Sequence, residues 1–113
     1  MLSHEARVDI VQYVDDHLNR SEDQMVDIQE EALNHIEHLE SAVYARMKSI
    51  FIDYVLWKEN MLTSRGFDPK GFINSLIETD ERLSQVQGIE NKEMYQNFLQ
   101  QSISLLNERT TGV

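Results

Sequence analysis

Residues 25–61 read MVDIQEEALNHIEHLESAVYARMKSIFIDYVLWKENM, and the spacing of their apolar side chains decides the fold class. Met25, Ile28, Ala32, Ile36, Leu39, Val43, Met47, Ile50, Tyr54, Trp57 and Met61 form one stripe. Its ten steps cover 61 − 25 = 36 residues, a mean of 3.6. That is the period of a straight helix packed in a bundle, not of a supercoiled 3.5-residue repeat. No Pro or Gly occurs from Met1 to Arg65, and Leu, Glu, Gln, Met and Arg are abundant. Nothing local therefore opposes helix. Read continuously, this helix covers residues 22–64 and would be roughly 65 Å long. Such a length is large for so small a chain and leaves room for a kink between residues 40 and 49, although no helix breaker marks one.

Outward from this stretch, three more helices are expected. Ile10, Val14 and Leu18 recur every four residues, joined by Ala6 and Val11, and predict a helix over 3–19 with Ser3 as its N-cap. Ser21 and Gln24 have the spacing of a capping box for the long helix, with Glu22 and Asp23 in its first turn. Gly66 suits a helix C-cap; Asp68 and Pro69 then read as the N-cap and first residue of a helix over 69–87. A last helix over 91–109 carries Met94, Tyr95, Phe98, Leu99, Ile103 and Leu106 inward, and the closing TTGV is expected to fray. The expected fold is all-α, a four-helix bundle-like single domain with a dominant second helix.

The chain has 113 residues, 41% of them hydrophobic, which suffices for one buried core. With no Cys, disulfides, thiolate catalysis and Cys-ligated metal are excluded. The polar start MLSHEARVD is not a secretory signal, and Asp53 interrupts the longest apolar run far short of a bilayer span, so a cytoplasmic protein is expected. The net charge of −10 is uneven. Residues 1–40 hold eleven acids and two bases (2 − 11 = −9); residues 41–113 hold nine acids and eight bases (8 − 9 = −1). Such a field repels nucleic acid and anionic lipid and attracts basic protein surfaces.

Three groups of residues are candidates for function. Glu5, Asp9 and Asp16 (with Gln12) lie opposite the apolar face of the first helix, and Asp23, Asp27, Glu30 and Glu37 opposite the stripe of the second. These ridges are the expected partner-binding surface, weighed against a merely solubilising one. Rows of carboxylates about 4.5–6 Å apart could loosely stand in for phosphates. Glu31, His35 and His38 share a flank at i, i+4 and i+7, a weak metal candidate. Di-metal bundles need a second Glu-x-x-His unit, which is absent, so these histidines are expected on the surface and no cofactor is expected. Residues 50–57, IFIDYVLW, are apolar nearly all round. They belong in the core or, through Tyr54, Trp57 and Met61, in a homodimer or partner interface.

Phosphate loops, nucleophile elbows and HExxH are absent, and the bases do not cluster. The expected function is non-enzymatic: an acidic inhibitor or adaptor that engages a basic surface of a nucleic-acid-handling protein. By analogy of charge alone it could act as the DNA mimics of phages and plasmids act against host defence. The alternatives are an assembly factor or chaperone with an apolar helix surface, and a metal-binding bundle.

Overall fold

The computed structural model describes residues 2–18 and 27–111, and among these every regular element is helical. The described residues form five helices: α1 His4–Leu18, α2 Ile28–Ala45, α3 Lys48–Ser64, α4 Lys70–Gln85 and α5 Lys92–Thr111. The capping box at Ser21 and Gln24, together with Glu22, Asp23 and Met25, lies outside the described residues.

The four-helix expectation is corrected by a break inside its longest element. Arg46 adopts φ 55° and ψ 37°, the left-handed conformation, and ends α2. Its N–H donates to the Val43 carbonyl, and the Met47 N–H to the Ala42 carbonyl. These bonds satisfy the last turn as a glycine would at that place. Met47 is extended, and α3 starts at once in the reverse direction. Packing supplies the reason: the longest extent of the molecule is 39 Å, too short for a 65 Å rod. Folding the rod back buries two apolar helices against each other, which outweighs the roughly 1–2 kcal/mol that a left-handed non-glycine residue costs.

Local signals place the other ends. Ser3 Oγ accepts the Ala6 N–H and caps α1. Asp27 caps α2, its side chain accepting the N–H groups of Gln29 and Glu30. Gly66, at φ 82°, closes α3, and the Phe67 N–H returns to the Leu62 carbonyl. Asp68 accepts the Lys70 N–H, and Pro69 already holds a helical φ of −73°.

The helices share one core. Ile10 and Val14 of α1 join Ala32, Ile36, Leu39 and Val43 of α2, and Phe51, Val55 and Leu62 of α3. Phe72, Ile73, Leu76 and Leu83 of α4 and Tyr95, Phe98, Leu99 and Leu106 of α5 complete it. Helix α2 touches all four other helices. It runs antiparallel to α1, since Arg7 meets Glu40 while Asp15 meets Gln29. No helix among the described residues is long and apolar enough to cross a membrane.

Candidate functional site: an acidic face with few counter-ions

Burial on α1 and α2 separates the carboxylates that hold the fold from those that face water. Glu40 belongs to the first kind. It is 7% exposed, accepts the Leu2 N–H at 2.9 Å and binds Arg7 Nη2 at 2.6 Å, which ties the start of the chain to α2. Glu31 stands 3.9 Å from Lys58 Nζ, and Asp9 takes Arg82 of α4 through both oxygens, at 2.7 and 3.2 Å. The other six described acids of residues 2–40 are Glu5, Asp15, Asp16, Asp27, Glu30 and Glu37, and none has an ion pair among the described residues.

Those six are arranged by the helices. Glu5, Gln12 and Asp16 are exposed on the outer face of α1, and Gln12 donates to Asp16. Asp15 leans toward α2 and accepts from Gln29 Nε2 at 2.9 Å. On α2 the solvent strip is Glu30, Glu37, Ser41 and Tyr44, at steps of seven, four and three. Asp27 sits at its foot as the cap. The structure thus brings most of the expected ridge residues onto two neighbouring helices, with two qualifications. Asp9 is engaged by Arg82, and Asp27 already serves the helix end.

One part of this face was missed in sequence, where residues 41–113 appear nearly neutral. Helix α4 packs on α1, with Glu78 and Glu81 beside Tyr13. Burial first, and then these two carboxylates, raise the Tyr13 phenol above its ordinary value. The Arg82 guanidinium lies 5.2 Å from the centre of the same ring. Glu78 and Glu81 therefore extend the acidic face beyond the first third of the chain. The sign of each base and acid was legible; the neighbour that α4 would choose was not.

The histidine group is reordered. His35, expected on the surface, is fully buried. Its Nδ1 hydrogen-bonds with Tyr54 Oη at 2.8 Å and its Nε2 with Ser75 Oγ at 3.0 Å, joining α2, α3 and α4. The reversal at Arg46 is the cause, because it lays α3 over the flank that a straight helix would leave in water. Burial, then the charges of Lys58 and His38, push the His35 imidazole down to about 3, so it is neutral. Burial likewise raises Glu31, with Lys58 opposing. Both His35 nitrogens are occupied. His38 is exposed, donates Nδ1–H to the Asn34 carbonyl and stacks on Tyr54 at 3.9 Å. No group of three metal-ligating side chains occurs among the described residues.

The apolar candidates separate in the same way. Tyr54 is buried beside His35, and Met61 is half-buried against the core. Trp57 is 60% exposed, on the outer face of α3 with Asp53 and Asn60. A cleft of about 810 Å³, lined by Glu59, Thr63, Lys70, Ile73, Ile77 and Arg109 among others, lies between α3 and α4 at the end of α5. Arg109 Nε binds the buried Glu59 carboxylate there at 2.7 Å.

Fold and surface together define a small, acidic, all-helical protein. Comparison with protein-family models, with curated proteins and with solved structures finds no match to this chain.

Proposed function

We propose that this chain is a non-enzymatic binding module that presents the carboxylates of α1 and α2 to a basic protein surface. The observation that supports this is the division of labour among the acids. Arg7, Lys58 and Arg82 are committed to Glu40, Glu31 and Asp9, between helices, while six carboxylates on and beside α1 and α2 have no counter-ion among the described residues. A surface held at like charge resists folding. It attracts a cationic partner at long range and speeds encounter. The form favoured is an inhibitor or adaptor of a nucleic-acid-handling protein, whose basic groove would meet carboxylates in place of phosphates. Direct binding of nucleic acid to this face is opposed by the sign of the field.

The test is capture of partners from the native source by the wild-type chain and by an Asp16→Lys, Glu30→Lys, Glu37→Lys variant. Asp27 is left intact because it caps α2. The expected outcome is a basic partner that is released by salt, displaced by duplex DNA and lost from the variant. Glu93→Lys, on α5, should leave binding unchanged. A complex that survives both high salt and the three reversals would overturn the reading and return the carboxylates to a solubilising role.

A further inference from the structure

Tyr44 is 85% exposed and Met47 53% exposed, side by side where α2 turns into α3. Arg46 and Lys48 flank Met47, and both are exposed. Residues 41–52 hold these two bases and no acid, in a chain of net charge −10. Neither base has an ion pair among the described residues; Lys48 Nζ donates to Gln101 Oε1 of α5. Aromatic, Met and Arg side chains brought together on a surface form the composition of an interface centre.

The matching surface is at the other end of the same helix. Asp27 and Glu30 stand at the foot of α2, about 27 Å of helix from the tip, so one copy cannot bring the two together. Two copies can. Glu30 and Tyr44 lie on the solvent strip of α2, each seven residues from Glu37, and Asp27 and Met47 are each ten residues from it. A two-fold axis at Glu37 therefore sets Glu30 against Tyr44, and brings Asp27, the cap of one copy, to the end of the strip where Arg46, Met47 and Lys48 of the other leave the helix, twice over.

We propose that the chain forms an antiparallel homodimer through the solvent strip of α2, the cationic and aromatic tip of each copy seated on Asp27 and Glu30 of the other. Such an interface is isologous and closes on itself. It is also small. A strip of this length on a helix roughly 10–12 Å across offers a few hundred Å² per copy, at the weak end of specific interfaces. At the axis Glu37 meets its own copy, and that like-charge contact weakens the pair further. Dimerisation and the basic partner proposed above compete for the same strip, so a basic partner would dissociate the dimer.

Sedimentation equilibrium from low micromolar to near-millimolar protein, in low salt, tests this. The wild type should be a reversible dimer. An Arg46→Asp, Lys48→Glu variant should be monomeric, and so should an Asp27→Asn, Glu30→Lys variant, in which Asn keeps the cap. An equimolar mixture of the two should dimerise again, because each tip then meets a complementary foot. Glu37→Gln should tighten self-association about three- to tenfold by removing the like charges at the axis, whereas it should weaken capture of a basic partner. Far-ultraviolet circular dichroism confirms that each variant keeps its helices. A strict monomer throughout would overturn the proposal. So would a dimer indifferent to tip reversal, or one lost instead on Trp57→Ser, or a mixture that fails to restore pairing.

Discussion

His35 shows most directly how one side chain answers to the whole fold. An unfolded histidine takes up its proton near pH 6.5, whereas folded His35 does so only near about 3. Between those values the unfolded chain binds the proton first, and stability falls as pH falls. The neutral imidazole therefore contributes in full above about pH 6.5, and that contribution is lost progressively toward pH 3. A shift of this size corresponds to a few kcal/mol at most. Glu31 and Asp80 act in the opposite sense, because burial raises both carboxyls and the folded chain takes their protons first. They offset part of the loss caused by His35, and comparison with a variant that lacks the imidazole isolates the histidine's share. Urea titrations at pH 7 and pH 5 should show wild-type stability lower at pH 5, and His35→Gln should show little difference between the two. His35→Ala should cost about 3–5 kcal/mol at pH 7, since it opens a cavity and strands the Tyr54 and Ser75 hydroxyls. None of this could be read from the sequence: i, i+4 and i+7 spacing places Glu31, His35 and His38 on one flank, but says nothing of what will cover it.

At the scale of the element, what was legible and what was not meet at Arg46. Helix as the class of structure, the starts near Ser3 and Asp68 and the stop at Gly66 all follow from short-range chemistry, and the structure has them. The end of α2 does not follow, because the residue that turns left-handed there carries no signal for it. The same error carried Tyr54 and Trp57 along one stripe as equals. Once α3 folds back, positions that continue the stripe need not face the same core. Tyr54 is covered by His35 and His38, and Trp57 points away among polar neighbours. A left-handed arginine invites a specific substitution. Arg46→Gly removes the Cβ strain while keeping the two capping bonds, which are made by backbone. It should raise stability by about 0.5–1 kcal/mol, read as a shift in denaturant midpoint with unchanged slope in dilute solution. Arg46→Val, branched at Cβ, should lower stability by a comparable amount. If glycine destabilised the protein and valine did not, the left-handed turn would be wrong and a continuous helix would return.

Over the whole molecule, the acidic face and the stability of the fold pull in opposite directions. Glu5, Asp15, Asp16, Asp27, Glu30 and Glu37 stand on adjacent antiparallel helices with no ion pair among the described residues, and Glu78 and Glu81 add to the field from α4. Their repulsion is present in the folded chain and relaxed in the unfolded one, where the charges are farther apart. At 0.1 M salt, exposed charges farther apart than about 10 Å are largely screened from one another, and that is the scale of neighbouring helix faces. Raising sodium chloride from low to moderate concentration should therefore raise the melting temperature, by a few degrees for a domain of this size. The four inter-helix ion pairs among the described residues respond the other way, but each has at least one partly buried partner and screens less. Substitution separates the two responses. Glu30→Gln with Glu37→Gln should stabilise the protein and flatten its salt dependence, because both side chains face solvent on α2 and their carboxylates make no hydrogen bond or ion pair among the described residues. Glu40→Gln should destabilise it, because Glu40 holds both Leu2 and Arg7. The same double variant that melts later should capture a basic partner less well, since a surface kept at the expense of stability serves something other than folding. A double variant with unchanged melting and unchanged capture would mean that the carboxylates are too well solvated to repel or attract anything, and the binding role would fall with the repulsion.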